Sequence, residues 1–191
     1  MKKALIILLV AVMVVTSASM VFAGRPDFAG PPANGSNRSP APSEDSIAEI
    51  AIGADFNELV AALSYVDEEL EAGLVDLFLN GTDQFTVFAP TDEAFEALYG
   101  ALGVDEIKDL EAELVLDVLL YHVAEGRRAE NSVVPRVRDR SITTLLGASF
   151  SVNSGGLITD IAGQKAEIVA PNISASNGII HVIDTVLLPL N

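Results

Sequence analysis

The chain has 191 residues and a formal net charge of −16, from 27 acidic residues against 11 lysines and arginines. A surface this acidic repels nucleic acid and anionic lipid headgroups, so we exclude nucleic-acid-binding classes. No cysteine occurs, which excludes a disulfide framework and a lipid-modified cysteine, and the fold must therefore be held by packing.

The first 23 residues have the pattern of a secretory signal peptide. Two lysines follow Met1, residues 4–15 are apolar, and Val21 and Ala23 place small residues where a signal peptidase cuts. We expect cleavage after Ala23, which would make the protein extracellular, cell-surface associated or periplasmic, with no stable membrane span. The alternative is an uncleaved anchor, because residues 4–23 are about as long as the ~20 residues that cross a bilayer.

Residues 24–45 hold five of the nine prolines, together with glycine, serine and asparagine. This composition offers almost nothing apolar to bury and predicts an extended, disordered linker. Residues 46–191 are enough for a single domain with its own core. The predicted organisation is therefore a signal peptide at 1–23, a linker at 24–45 and one domain at 46–191.

The first half of the domain has the apolar period of helices. Ser46 and Glu49 have the spacing of a capping box, which predicts that a helix begins there. A second helix is expected with Asn57 as its N-cap, a third over residues 67–78, and a strongly amphipathic one over residues 110–123. The polar positions are rich in acids, so these helices should expose acidic faces to water.

A strand and a helix are predicted between the third helix and the amphipathic one. The segment Phe85–Phe88 is β-branched and aromatic, and Pro90 ends the strand. Thr91 is a natural N-cap, Asp92 lies in the first turn where the helix dipole favours negative charge, and Phe95 faces back onto the strand. These signals agree on a strand–turn–helix unit.

The second half of the domain has strand signals. Residues alternate in character over 136–140 and again over 149–152, and residues 153–156 predict a hairpin turn. Further strands are expected over 157–159, 166–169 and 178–188. Helices come first and strands later. The sequence therefore predicts an α+β domain with helices at one side of a mostly antiparallel sandwich.

Five arginines, at positions 127, 128, 136, 138 and 140, lie close together in an otherwise acidic chain. The alternation at the last three positions is typical of the solvated face of an edge strand, where charge prevents edge-to-edge pairing. The alternative is a basic patch that docks acidic glycans.

A search for catalytic and metal-binding motifs finds none. The chain has no nucleophile elbow, phosphate-binding glycine loop, His-Glu-x-x-His or EF-hand loop. Its two histidines, His122 and His181, lie in apolar surroundings, and we interpret them as hydrogen-bonded core residues rather than general bases. We therefore expect no enzyme activity, no catalytic residue, no metal ligand and no cofactor.

The segment Asn177–Pro189 is the most informative stretch of the chain. An Asn-Gly turn precedes branched apolar residues on both sides of His181, which predicts a buried strand entered through a tight reversal. A chain end that supplies a core strand cannot fray without loss of the fold.

Three motifs give the domain a family resemblance. They are Phe85–Phe95 (FTVFAPTDEAF), Leu119–Val123 (LLYHV) and Asn177–Pro189. In this order and spacing they resemble the paired signatures and the central Tyr-His motif of the fasciclin-type domain, over about residues 46–190.

The resemblance implies a wedge-shaped β-sandwich with a helical layer. In animal members the Tyr-His segment has been linked to integrin binding, which implies a partner-binding role for Tyr121 and His122. Their position among apolar residues at a helix end favours a packing role instead, and we prefer that interpretation. The other signature residues are expected to be mainly structural: Thr91, Asp92, Phe95, Asn177, Gly178, His181 and Asp184.

The function that the resemblance implies is a secreted, non-enzymatic adhesion or interaction module. Its partner would be a cell-surface or matrix protein or polysaccharide, although the chain has no Arg-Gly-Asp triplet. The alternative is a soluble carrier of an apolar small molecule such as a carotenoid, since some fasciclin-like proteins are described as carotenoid binders. An acidic shell around many branched apolar residues suits a carrier, but core packing explains those residues equally well.

Overall fold

The computed structural model of the protein describes residues 42–54 and 56–189. The predicted signal peptide and most of the predicted linker lie outside these residues. No helix in the described ranges is long and apolar enough to cross a membrane.

The helices and strands of the described part follow the predicted order, with helices before most strands. The helices are α1 (Ile47–Gly53), α2 (Asn57–Leu70), α3 (Leu74–Asn80), α4 (Asp92–Leu102), α5 (Ala112–Tyr121) and α6 (Glu130–Val133), with a 3₁₀ turn at Ile107–Asp109. The strands are β1 (Phe85–Pro90), β2 (Val123–Glu125), β3 (Arg140–Thr143), β4 (Ser149–Val152), β5 (Leu157–Thr159), β6 (Lys165–Ala175) and β7 (Gly178–Ile183).

Two predicted helix starts are confirmed by their caps. Ser46 Oγ accepts the amide of Glu49 at 3.3 Å, and a Glu49 carboxylate oxygen accepts the amide of Ser46 at 2.7 Å, so the capping box is complete. Thr91 Oγ1 accepts the amide of Ala94 at 3.3 Å and begins α4. The prediction for Asn57 is wrong in detail, because this residue is the first of α2 rather than its cap.

The predicted helix over 67–78 is wrong in its boundaries. Helix α2 runs past Asp67, and α3 begins only at Leu74. Glu71, the C-cap of α2, has a left-handed φ of 52° and ends that helix, and Gly73, the N-cap of α3, has a φ of 70°. The Asp67 carboxylate accepts the amides of Leu74 and Val75 at 2.8 Å each. A residue inside one helix therefore caps the next one.

The seven strands form one sheet in the order β2-β1-β7-β6-β5-β4-β3. Strands β1 and β7 are parallel, and the other neighbouring pairs are antiparallel. The ring centroids of Phe88 in β1 and Phe150 in β4 lie 4.9 Å apart, whereas the four strand spacings between them would take ~19 Å in a flat sheet. The sheet therefore folds over on itself as a sandwich, and the α+β prediction is confirmed.

Strand β6 joins the two layers of this sandwich. It has 11 residues, and its pairing with β7 shifts register between Ile168 and Ala170 and again between Ala170 and Ile173. Asn172, inside the second shift, has a φ of 66°. Bulges of this kind bend and twist a strand, so β6 can pair with β7 in one layer and with β5 in the other.

Two apolar clusters fill the domain, and strand β7 contributes to both. One cluster packs the helices against the sheet and includes Val66, Phe95 and Ile180. The other lies between the sheet layers and includes Ile142 and Ile183. Every residue of β7 is buried, as the sequence predicts for the C-terminal segment. The strand ends earlier than predicted, at Ile183.

The predicted strand at positions 136–140 does not form. Strand β3 begins only at Arg140, at the outer edge of the sheet, and residues 136–139 are irregular. Val137 is 86% exposed. The alternating pattern therefore has no buried side that could hold it against the sheet.

Candidate functional site

Tyr121, a residue of the Leu119–Val123 motif, lies at the C-terminal end of α5 and is fully buried. Its hydroxyl donates to the carbonyl of Ser149 at 3.3 Å and accepts the amide of Ile161 at 3.3 Å. Its ring meets Phe150 edge-on, with centroids 5.8 Å apart. Burial raises the pKa of the Tyr121 hydroxyl, so the group stays a neutral donor. Tyr121 thus ties α5 to the second half of the sheet.

His122 follows directly and is 3% exposed. Nδ1–H donates to the carbonyl of Val118 at 2.7 Å, and Nε2 accepts the amide of Leu187 at 3.0 Å. Burial lowers the pKa of His122 to about 4. The imidazole is therefore neutral at physiological pH, with its proton on Nδ1.

The burial of Tyr121 and His122 places both side chains where a folded partner does not reach them. Their polar atoms already bond to backbone groups, as the preferred packing interpretation requires. Their partner-binding role stays a prediction, and it would need the end of α5 to open.

His181, the other histidine, lies in β7 and is fully buried, as predicted. Nε2–H donates to the carbonyl of Arg128 at 2.8 Å, and Nδ1 accepts the amide of Asn172 at 3.3 Å. The ring stacks on Phe88 with centroids 5.6 Å apart. Burial lowers the pKa of His181 despite the hydrogen bond to Arg128. The imidazole therefore fastens the loop before α6 and the β6 bulge to β7.

Asn177 and Gly178 join the start of β7 to the helices. Asn177 Oδ1 accepts the amide of Ile47 at 2.9 Å, and Nδ2 donates to the carbonyl of Phe78 at 2.8 Å. A Cβ on Gly178 would lie 2.2 Å from the carbonyl oxygen of Phe85. Only glycine fits where β7 passes β1 so closely.

Asp92, near the start of α4, has a role that its position in sequence does not reveal. Its Oδ1 accepts the amide of Glu58 and its Oδ2 accepts the side-chain amide of Asn57, each at 3.0 Å. The carboxylate thus caps the start of α2 from another helix, which explains why Asn57 does not act as the cap. Phe95, one turn further along α4, is buried in the helical cluster.

Two carboxylates near the C-terminus also bond to backbone amides. Asp184 Oδ1 accepts the amide of Glu167 at 2.8 Å. Asp160 is 6% exposed and accepts the amides of Gln164 at 2.8 Å and Leu188 at 2.9 Å. Sequence reasoning missed Asp160 because its partners lie in a turn and in the C-terminal segment. Acidic residues and histidines in the described part form no group that could hold a metal ion.

The five arginines separate into two groups. Arg127 donates to the carbonyls of Ala175 and Gly178, and Arg128 donates to the carbonyl of Glu125, so this pair fastens local structure. The other three are exposed: Arg136, Arg138 and Arg140.

Two apolar recesses open on the helical side of the domain. The larger, of about 60 Å³, lies between α4, α5 and the 3₁₀ turn and is lined only by apolar side chains, among them Leu98, Leu102 and Val118. We call it the α4–α5 groove. The smaller, of about 30 Å³, borders His122.

Comparison with known proteins identifies the family of this domain. Residues 54–189 match the family model of the fasciclin domain. The Synechocystis protein sll1483 is 33% identical over 147 residues, which cover 75% of this chain and 73% of that protein. Immunogenic protein MPB70 of Mycobacterium bovis is 34% identical over 143 residues, covering 73% of this chain and 68% of that one.

Two further comparisons have lower coverage of the matched protein. The cell surface glycolipoprotein MPB83 of Mycobacterium bovis is 34% identical, with 60% of it covered. A solved FAS1 domain pair from the insect cell adhesion molecule fasciclin I aligns with a TM-score of 0.51 and 20% identity, over 68% of this chain and 45% of that one. The family match covers most of this chain, and the chain belongs to the fasciclin-domain family.

Proposed function

We propose that this protein is an exported, non-enzymatic interaction module that binds cell-surface or extracellular-matrix components, either protein or polysaccharide. One observation supports this most. The polar atoms of His122, His181, Asp92 and Asn177 all bond to groups of the domain itself, which leaves these motif residues without a free catalytic atom.

The names of the relatives agree with a role outside the cell. They include a cell surface glycolipoprotein and an immunogenic protein, and the solved neighbour comes from a cell adhesion molecule. A single small domain acts best when several copies engage one surface, because each further contact is then effectively intramolecular. We therefore expect low affinity for a single copy and strong retention for clustered copies.

The carrier hypothesis receives less support. The two apolar recesses measure about 60 and 30 Å³, whereas pockets for drug-sized ligands measure ~300–1,000 Å³. A carotenoid would therefore fit neither of these two recesses unless the helices separated. Purified protein that carries visible colour would favour the carrier over the interaction module.

The test is binding of clustered protein to an array of matrix proteins, cell-wall polymers and polysaccharides. Beads that carry many copies should bind at least one component, and soluble monomer should compete only at a much higher concentration. Beads that carry heat-unfolded protein control for charge and composition. Equal binding by folded and unfolded protein, or turnover of a small substrate by the folded protein, would contradict the proposal.

A further inference from the structure

The loop before β3 is a surface feature that the fold does not use. It comprises residues 136–139 and Arg140, the first residue of β3, and we call it the arginine loop. Val137 is 86% exposed, and Arg136 and Arg138 have no hydrogen-bond or ion-pair partner within residues 42–54 and 56–189. Arg140 is held in place, because its guanidinium donates to the carbonyl of Ser132. The loop therefore presents an apolar tip among three arginines, with Asp139 as its one acidic residue.

The α4–α5 groove is the second unused feature. Its lining is apolar throughout, and Leu102 on its rim is 49% exposed. Its volume of about 60 Å³ exceeds the ~10–15 Å³ that one water needs. The isopropyl group of a valine fits such a space. The Val137 of the same chain does not occupy the groove, since that side chain is exposed.

Acidic side chains lie along the groove. On α5, Glu113 and Asp117 precede the lining residues Leu114 and Val118, and both acids are exposed. Residues four apart on a helix are neighbours on one face, with Cβ atoms ~5–6 Å apart. Glu113 and Asp117 therefore form an acidic stripe beside an apolar one. Exposed acids also flank Leu110, another lining residue.

We propose that the arginine loop of one copy docks in the α4–α5 groove of a second copy of this chain. Val137 enters the apolar groove, and the arginines lie against Glu113 and Asp117. Neither feature has a partner within its own copy, and each gains one from the other copy. The apolar tip is covered, and the unpaired arginines gain carboxylates. Arginine is enriched at protein interfaces, and the buried centre of an interface is more apolar than the rest of the surface.

The contact joins two different surfaces, so it leaves one free loop and one free groove at the ends of every pair. Contacts of this heterologous type continue into open chains unless the rotation closes a ring. The patch is small, which places the interaction in the weak, transient class. An anionic polysaccharide would also meet the arginines, but it would leave both Val137 and the groove exposed to water. The second copy is therefore the better fit.

The experiment is sedimentation of the purified protein from about 10 µM to about 1 mM, the range in which weak interfaces associate. The loop variant carries Val137→Asp and Arg138→Glu. The groove variant carries Leu102→Lys and Asp117→Lys. All four positions are exposed, so the substitutions leave the core intact. A control with Ile52→Asp and Lys165→Glu makes the same kinds of change as the loop variant at two other exposed positions.

The native protein and the control should show an average mass that rises with concentration. Each variant alone should remain monomeric, and an equal mixture of the two variants should form a 1:1 dimer, because one supplies the groove and the other the loop. A native protein that stays monomeric at the highest concentration would overturn the inference. So would a mixture that stays monomeric, or arginine-dependent binding to an anionic polysaccharide without self-association.

Discussion

The backbone amide of Leu187 donates a hydrogen bond to Nε2 of His122 at 3.0 Å, across 65 positions of sequence. Both residues are buried. The same imidazole donates through Nδ1 to the carbonyl of Val118, one turn back in α5. One neutral histidine therefore holds the C-terminal segment against the end of the amphipathic helix.

The free energy of unfolding should fall as the pH falls from 6.5 to 4. Burial holds the pKa of His122 at about 4 in the folded chain, against ~6.5 in an unfolded chain. Between these values the unfolded state binds more protons, so acid favours unfolding, by about 3 kcal/mol at full effect. Protonation also turns Nε2 into a donor that faces the amide of Leu187.

The measurement is urea unfolding at several pH values for the native protein and for His122→Gln, which does not titrate in this range. Carboxylate protonation affects both proteins alike, so their difference isolates the imidazole. The native protein should lose about 3 kcal/mol more than the variant between pH 7 and pH 4. Parallel pH profiles would show that His122 is not the group responsible.

Gly178→Ala should prevent stable folding. The new methyl group would lie 2.2 Å from the carbonyl oxygen of Phe85 and 2.7 Å from Cδ1 of Ile47, so β7 could not keep its register with β1. Gly100→Ala is the matched control, because Gly100 lies in α4 with nothing within 4 Å of the added carbon. That change should stabilise the protein by about 0.5–1 kcal/mol. Thermal unfolding of both variants tests these two expectations. A Gly178→Ala protein that unfolds at the midpoint of the native protein would contradict the first.

Asp92→Ala should destabilise the protein by about 1–2 kcal/mol, because it removes the bonds to Asn57 and to the amide of Glu58. Glu93→Ala is the control. Both acids lie in the first turn of α4 and interact with its dipole, but only Asp92 caps α2. The measurement is chemical unfolding of both variants. Equal decreases in their free energies of unfolding would show that the helix dipole alone accounts for the effect of Asp92.

Local signals in the sequence predict the elements whose causes are themselves local. The Ser46–Glu49 capping box, the Thr91 cap and the buried β7 all follow from residues within a few positions of each other. The caps that Asp67 and Asp92 supply could not be predicted, because each carboxylate bonds to a helix other than its own. The intrinsic helix propensity of a residue carries no information about contacts between different helices.

The same distinction holds for the candidate surfaces. The burial of His181 follows from its apolar neighbours, and the structure confirms it. The alternation at 136–140 was misleading, because a pattern of period two forms a strand only where one side is buried, and Val137 is exposed. The α4–α5 groove could not be predicted at all, since it depends on how two helices and a 3₁₀ turn are spaced.

The most direct test of whether the C-terminal segment is part of the core is to end the chain after Asp184. This removes the buried Val186 and Leu187, together with the bonds that Leu187 and Leu188 make to His122 and Asp160. Circular dichroism during urea unfolding should show no cooperative transition at 25 °C for the shortened protein. A cooperative transition at the native midpoint would show that the segment is dispensable, and would contradict its role as part of the core.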